Sequence, residues 1–211
     1  MNISLDLDLR DRLCSIRDQG DRPTCLSHAI STCHEFARGK PEALSSEYLH
    51  YFATDGKPNT VSTIEGARLA LKKHGQPEEE HCREFRGHVP SDWKPGQGFP
   101  LFRRHSSVIE PEFEMLKTSL MQRRLPVLGI QLTKSFFHPV PPWIIKPGEL
   151  VHAYHAVVAV GFGSIEGLAT VLIRNSWGLD WGENGHAFLS ANYLHQYLKC
   201  VLLLEEEVTS G

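Results

Sequence analysis

The pattern of hydrophobic residues changes about halfway along the chain, and this change constrains the fold most strongly. In the first half apolar residues recur at helical spacing, most clearly over 24–38. From about Pro111 onwards short β-branched runs appear, such as 155–160 and 171–173, and turns separate them. Helices followed by strands predict an α+β protein with a helical lobe and a sheet lobe.

The length of 211 residues suits a single domain of residues 1–211. Within it we expect a helical lobe over about 10–110 and a β lobe over about 111–211. Beyond the β-branched runs, helices are predicted over 24–38, 45–52, 62–73 and 112–124, and strands over 126–132 and 199–204.

Charge and hydropathy argue against two classes of partner. The formal net charge of -3 does not favour nucleic acid, since proteins that bind it usually carry a basic face. No stretch approaches the roughly 18 apolar residues of a membrane span. The opening residues, MNISLDLDLR, lack the apolar core of a signal peptide, so we expect a protein that is cytoplasmic as made.

Five cysteines occur, an odd number without the regular spacing of a disulfide framework. No C-x-x-C pair is present to begin a zinc site, and we expect neither a metal nor another cofactor. Four of the thiols are interpreted as ordinary buried or surface groups, and Cys25 as a special one; the others are Cys14, Cys33, Cys82 and Cys200.

Cys25 lies at the start of a predicted helix, directly after Pro23 and Thr24. Unpaired N–H groups there carry positive partial charge, which favours a thiolate and predicts a lowered pKa. Such a cysteine suits nucleophilic catalysis. The alternative is a small core residue, but Cys25 lies off the apolar stripe that includes Leu26 and Cys33.

A base could come from the predicted hairpin that contains the runs 155–160 and 171–173. His155 begins one strand and Asn175 ends the other, with position 165 midway between them. A symmetric hairpin places the two side chains directly opposite each other. The Asn175 oxygen could then accept a hydrogen bond from one ring nitrogen and leave the other nitrogen for the thiol.

Three sequence blocks resemble the signature blocks of the papain family. They are QGDRPTC at 19–25, HAVVAVGFG at 155–163 and RNSWGLDWGENGHAFL at 174–189. The order Gln, Cys, His, Asn is also similar, and the resemblance extends over about 16–204. It is nearer to the bacterial members than to the lysosomal cathepsins.

This resemblance implies a papain-like fold with the active site in the cleft between the lobes. It implies a cysteine endopeptidase that forms a thioester on Cys25, with His155 as general base and acid and Asn175 as its orienter. Gln19 would stabilise the oxyanion together with the backbone N–H of Cys25. Trp177 would cover the hydrogen bond between Asn175 and His155.

Several positions depart from the family pattern. Residues 23–26 are Pro-Thr-Cys-Leu where the family usually has G-S-C-W, and the cysteine that precedes these and forms a familiar disulfide is missing. Val61 and Ser62 take the place of the Gly-Gly that usually pairs with the substrate backbone. Tyr154 precedes the base where bacterial members often have Gly. These three residues are our predicted substrate-binding positions.

Two other histidines compete for the role of base. His28 follows Cys25 by three residues and lies on the same helix face, but nothing evident in the sequence orients its ring. His152 precedes His155 by three residues and is predicted to lie in a loop. The remaining histidines are interpreted as surface residues.

Other functions share this chemistry. A Cys-His-Asn deamidase or transglutaminase would form the same thioester on a protein side chain, and a catalytically silent binding module is a further alternative. The apparent lack of a propeptide suggests a bacterial toxin or effector that is restrained by a cognate inhibitor or immunity protein. The Pro-rich loop 136–148 would form one rim of the cleft. Its apolar groups either face that partner or pack back onto the sheet lobe; they are Phe136, Phe137, Pro142, Trp143 and Ile144.

Overall fold

A computed structural model describes residues 3–40 and 42–208. Its helices are α1 (Cys25–Arg38), α2 (Ser46–Ala53), α3 (Ile64–Lys73), α4 (Phe113–Met121), α5 (Lys134–Phe137) and α6 (Ala191–Tyr197). Its strands are β1 (Ile3–Asp8), β2 (Arg104–Ile109), β3 (Val127–Thr133), β4 (Ile144–Ile145), β5 (Leu150–Ile165), β6 (Leu168–Arg174), β7 (His186–Ser190) and β8 (Leu198–Glu207). Short 3-10 helices span Arg10–Arg12 and Glu79–His81.

The strands form one sheet of eight strands in the order β2-β8-β3-β5-β6-β7-β4, and β1 pairs with β5 outside this path. Neighbouring strands are antiparallel except β4 and β7, which are parallel. The 16-residue β5 is the central strand, since it pairs with β3, β6 and β1. Helix α1 packs against β5, which brings the two predicted reactive segments together.

Two strands of this sheet precede residue 110, β1 and β2. Residue 110 therefore does not divide helices from strands, although most helices do precede it. The β1 sequence, ISLDLD, alternates apolar and polar residues as a half-exposed strand does. The prediction of a mainly helical first half missed this short signal.

Two glycines of β5 let β1 approach closely. A Cβ atom on Gly161 would lie 2.4 Å from the carbonyl oxygen of Leu7, and one on Gly163 would lie 2.2 Å from that of Ser4. Both distances are far below van der Waals contact. The G-F-G of the second sequence block is therefore required for packing of the first strand.

The predicted helix 24–38 matches α1 within one residue, and Gly39 ends it in the left-handed conformation with φ 64°. Helix α3 begins after its cap, Thr63, whose side chain accepts a hydrogen bond from the Gly66 N–H. Helix α4 is shorter than predicted. Strands β4 and β7 and helices α5 and α6 were not predicted.

A continuous hydrophobic core joins the helices to the sheet. From α1 it includes Leu26, Ile30 and Cys33, and from the sheet it includes Leu128 and Val158. This packing fixes the position of α1 over β5 by burial of apolar surface. None of the helices in the described part of the chain is both long and apolar enough to cross a membrane.

Candidate active site

Cys25 is the first residue of α1, and Thr24 precedes it as the N-cap without a side-chain capping bond. Burial raises the pKa of the Cys25 thiol above its ordinary value, and hydrogen bonds from the backbone of Ala156, Leu26 and Cys25 itself oppose this rise. The predicted lowering of the pKa is therefore wrong in direction, because desolvation outweighs the helix start. The bond from Ala156 places the sulfur beside the residue that follows His155.

His155 lies in β5 and is buried, with 6% of its surface exposed. Its Nε2 lies 2.7 Å from Oδ1 of Asn175, which also accepts a hydrogen bond from the Ser176 N–H at 2.8 Å. An oxygen acceptor requires the proton on Nε2, which leaves Nδ1 as the basic nitrogen. Burial lowers the pKa of His155 to about 4, although the bond to Asn175 opposes this.

The side chains of His155 and Asn175 come into contact in a different way from the one predicted. Val158 pairs with Arg174, and the turn between the strands lies at 166–167 and not at 165. His155 instead pairs with Ile130 of β3. Asn175 follows the last residue of β6, so its side chain reaches the ring from beyond the strand end. The prediction of a direct cross-strand pair is wrong, although the two groups are in contact.

An aromatic cluster surrounds the imidazole. The ring of Trp177 lies 4.6 Å from that of His155 between centroids, and Phe136 lies 5.7 Å from it edge-on. Trp181 donates its indole N–H to the carbonyl oxygen of Phe136 at 2.8 Å. These contacts shield the His155–Asn175 bond from water, and Phe136 has a part in this that was not predicted.

The contacts of the loop 136–148 decide between the two alternatives expected for its apolar groups. Phe136 is fully buried, and Trp143 and Ile144 pack against the hydrophobic core through β4 and its pairing with β7. Phe137 is 39% exposed and stacks on Trp177 at 5.5 Å. The loop therefore packs back onto the sheet and does not present these groups as one exposed apolar patch.

Gln19 is buried and its amide is held at both ends. Its Oε1 accepts a hydrogen bond from Ser176 Oγ at 2.7 Å, and its Nε2 donates to the carbonyl oxygen of Arg22 at 2.6 Å. Its backbone N–H also donates to the Ser176 carbonyl oxygen at 2.8 Å. An amide nitrogen has two N–H groups, so a second one is available to an oxyanion. Ser176 lies in the third sequence block but had no predicted role.

The loop before Cys25 is fixed by a buried ion pair between Arg22 and Glu47 of α2, whose side chains are 4% and 0% exposed. Arg22 Nη2 donates to Glu47 Oε1 at 2.9 Å and to the Pro58 carbonyl oxygen at 2.8 Å, and Nη1 contacts Glu47 Oε2. Glu47 also accepts from the Phe85 N–H at 3.1 Å. This pair was not predicted; its only sequence signal was an arginine where the family usually has the disulfide cysteine.

The three predicted substrate-binding residues have different environments. Val61 is 77% exposed and Tyr154 is 71% exposed, whereas Ser62 is buried and precedes the cap of α3. Val61 lies three residues after Pro58, whose carbonyl oxygen accepts a hydrogen bond from Arg22 in the loop before Cys25. A role for all three in binding substrate stays a prediction.

His28 and His152, the two alternatives to His155 as base, have different surroundings from those predicted. His28 Nε2 lies 2.6 Å from Oε1 of Glu84, so the ring is oriented by a carboxylate that the sequence did not reveal. His152 lies in β5 and not in a loop, and it is exposed.

One group of side chains could hold a cation. Ligand atoms of Glu78, Glu80 and His81 lie within 4.8 Å of one another at the surface, among the residues that the structure describes. None of them is a predicted site residue. Exposed acidic groups of this kind are common without a metal.

The fold and this arrangement of Cys, His and Asn define a class, and comparison with known proteins assigns it. The sequence model of the family described as "Papain family cysteine protease" matches residues 92–202, more than half of the chain. The protein belongs to the papain family of cysteine proteases.

Among its relatives is the oryzain gamma chain of Oryza sativa subsp. japonica, 59% identical over 190 residues that cover 81% of this chain and 50% of the relative. A cysteine protease of Blomia tropicalis is 41% identical over 205 residues, 90% of this chain and 61% of the relative. The chain thus spans about half to two thirds of the length of these two proteins.

The fold is also found in solved structures. Xylellain, a cysteine protease from Xylella fastidiosa, superposes with a TM-score of 0.79 over 96% of this chain and 87% of its own. The sequence identity is 18%, so this likeness concerns the fold. It confirms the predicted papain-like α+β architecture.

Proposed function

We propose that the protein is a cysteine endopeptidase in which Cys25 is the nucleophile and His155 the general base and acid. The observation that carries this proposal is the 2.7 Å contact between His155 Nε2 and Asn175 Oδ1, in a strand whose next residue, Ala156, hydrogen-bonds the Cys25 sulfur. Family membership supports it independently.

In the first half-reaction the Cys25 sulfur attacks the carbonyl carbon of the scissile peptide bond, and its proton passes to Nδ1 of His155. The carbonyl oxygen becomes an oxyanion, which the Cys25 N–H and the second Nε2–H of Gln19 stabilise. The C–N bond then breaks, the leaving amine takes the proton from His155, and a thioester remains on Cys25. Water hydrolyses this thioester with His155 again as base, which restores the thiol.

The charges at rest follow from burial. The raised pKa of Cys25 and the lowered pKa of His155 each favour the neutral form of the group. Transfer of one proton from thiol to imidazole leaves the net charge of the pair unchanged. Near neutral pH the ion pair therefore forms by internal transfer of this proton, and the two groups become charged together.

The direct test compares wild type with Cys25→Ala on a mixture of cellular proteins. New N-termini that appear with wild type and not with Cys25→Ala are the expected result. A change in the mass of glutamine side chains without new N-termini would instead identify the deamidase or transglutaminase alternative. If both proteins left the mixture unchanged, the proposal would be overturned in favour of a silent binding module.

A cognate inhibitor and a role as a bacterial toxin or effector are separate proposals, and the only support for them is the sequence. The packing of Phe136, Trp143 and Ile144 removes the surface on which we had expected an inhibitor to dock. Expression of wild type and Cys25→Ala in the same host tests the need for one. Poor growth with wild type alone supports a restraining partner, and equal growth and yield argue against it.

A further inference from the structure

A small cavity lies behind the catalytic contact, between α1 and the strand that carries His155. Its lining includes Arg17, His28, Ala29, Ala156 and Asn175. Its volume is about 10 Å³, close to the room that one water molecule needs. It lies next to the catalytic contact, since Asn175 takes part in both.

Three of the lining residues each have a buried side-chain nitrogen without a protein hydrogen-bond partner among the described residues. These atoms are Arg17 Nη1, His28 Nδ1 and Asn175 Nδ2. His28 Nε2 also lacks a well-aligned hydrogen bond, but it lies 2.6 Å from Glu84 Oε1. A buried polar atom that lacks a partner costs about 1–3 kcal/mol, so such atoms are usually satisfied by an ordered water. Because the three residues line one cavity, a single ordered water can serve as the hydrogen-bond partner of all three nitrogens.

The chemical types of the three atoms are complementary. Arg17 and Asn175 are donors only at these nitrogens. His28 has its Nε2 2.6 Å from the Glu84 carboxylate, which favours a proton on Nε2 and makes Nδ1 an acceptor in the neutral ring. One water can accept two hydrogen bonds and donate one here, and buried waters typically make about three.

The groups around Glu84 hold it in this place. Ser46 donates its hydroxyl to Glu84 Oε1 at 2.9 Å. Burial raises the pKa of Glu84, but the contact with His28 Nε2–H and the hydrogen bond from the Ser46 hydroxyl oppose it, and the pKa is lowered overall. Glu84 is therefore an ionised carboxylate that fixes the ring of His28.

We propose that this cavity holds one ordered water that accepts hydrogen bonds from Arg17 and Asn175 and donates to His28, and that His28 and Glu84 thereby position the amide of Asn175. The proposal rests on the proposed function, since Asn175 is taken as the residue that orients His155. Without the water, the side-chain amide of Asn175 has hydrogen bonds among the described residues at its oxygen alone, with His155 and the Ser176 N–H. With the water, both the oxygen and the nitrogen of the amide are fixed. The hydrogen bond between Asn175 Nδ2 and the water then strengthens the one between Asn175 Oδ1 and His155.

The first experiment is a crystal structure of the Cys25→Ala protein, which cannot digest itself, at a resolution that shows ordered water. We expect one density peak within hydrogen-bond distance of the three nitrogens. An empty cavity, or a direct bond from Asn175 Nδ2 to protein, would overturn the proposal. This measurement does not depend on activity, so it separates failure of the water site from failure of the proposed function.

The second experiment measures kcat and KM for His28→Phe and His28→Gln. We expect His28→Phe to lower kcat about tenfold, the equivalent of one net hydrogen bond, with KM unchanged. His28→Gln retains a polar atom near the cavity and should recover part of the loss. A kcat of His28→Phe equal to that of wild type, per folded molecule, would show that His28 has no positioning role.

His34→Phe is the matched control, since His34 is a fully buried histidine of the same helix that contacts Gln76 and does not line the cavity. It should lower stability without a change in kcat. If His34→Phe lowered kcat as much as His28→Phe, the effect would belong to the helix in general and the proposal would fail. Should His28→Phe not fold, His28→Gln and the crystal structure still decide the question.

Discussion

The two halves of the active site are held in different ways. On the sheet side, His155 lies in a strand that backbone hydrogen bonds fix on both edges. On the loop side, Cys25 follows a loop that is fixed by a few backbone hydrogen bonds and by several buried side chains. On the sheet side, β5 pairs with β3, β6 and β1, and these bonds do not depend on side-chain identity. On the loop side, Arg22 contacts Glu47 and Gln19 contacts Ser176. Substitutions should therefore affect chemistry alone on the sheet side, but geometry and stability together on the loop side.

The largest effect is expected for His155→Ala on the sheet side. Hydrolysis should fall by at least about 10³-fold, because the base is removed, while the thermal midpoint stays close to that of wild type. The measurements are kcat/KM and thermal unfolding. His152→Ala, on the same strand but exposed, should change neither. Activity of His155→Ala within about tenfold of wild type would refute its role as base.

Glu47→Gln is expected to destabilise the loop side by about 3–5 kcal/mol, because it leaves Arg22 buried without a counter-ion. Denaturant unfolding measures this. Glu80→Gln is the control, since its side chain is 71% exposed and should change the free energy of unfolding by less than about 0.5 kcal/mol. A double variant, Arg22→Met with Glu47→Leu, should recover much of the stability. An equal effect of Glu47→Gln and Glu80→Gln would mean that the loop does not depend on the ion pair.

Gln19→Ala should lower kcat by about 10²–10³, as loss of one oxyanion donor does elsewhere. The binding of substrate should change far less, since the oxyanion forms only in the transition state. Separate determination of kcat and KM tests this. A rise in KM at constant kcat would instead assign Gln19 to substrate binding.

Stability should fall as the pH is lowered from about 6.5 to about 4. Burial lowers the pKa of four histidines from 6.5 to about 4: His34, His50, His155 and His186. In this window the unfolded chain binds their protons and the folded protein does not, so acid favours unfolding. Each contributes a slope of about 1.4 kcal/mol per pH unit.

The free energy of unfolding, measured at several pH values, tests this dependence. His34→Gln should lower its slope against pH by about 1.4 kcal/mol per pH unit, the contribution of one histidine. A free energy of unfolding that does not change between pH 7 and pH 5 would contradict it. The sequence interpretation of His34, His50 and His186 as surface residues is wrong, because all three are buried.

The smallest effect is expected for Ser176→Ala, which removes the donor to Gln19 Oε1 but leaves the bond from Gln19 to Arg22. A loss of about 1 kcal/mol in transition-state stabilisation, or a few-fold in kcat, is expected. Steady-state kinetics measure it beside Gln19→Ala. If Ser176→Ala matched Gln19→Ala, the Ser176 bond would be essential to the amide's position; if it matched wild type, the Arg22 bond would suffice.

The sequence predicted the sheet side better than the loop side for a physical reason. The β-branched runs on either side of His155 and Asn175 indicate a hairpin, since the strand period is local. Its register was missed because the turn at 166–167 lies more than one residue from the midpoint assumed. The contact formed even so, because Asn175 lies beyond the strand end.

The contacts of the loop side could not be predicted, because they join residues far apart in sequence. Arg22 meets Glu47 across 25 residues, and His28 meets Glu84. No local period marks such pairs. The pKa of Cys25 was predicted with the wrong sign for the same reason, because burial depends on packing by β5 and the helix start is the only part visible in the sequence.

The pairing of β1 with β5 has a consequence for biosynthesis. Residues 3–8 leave the ribosome before the other strands of this sheet, and their partners at 161–165 emerge some 150 residues later. At about 5–20 residues per second this delay is roughly 10–30 s. During that time the backbone groups of residues 3–8 have no partner strand. The charged side chains of Asp6 and Asp8 disfavour pairing with other chains. His155 and Asn175 emerge in the same later portion, so the catalytic contact forms only after residue 175 has been made.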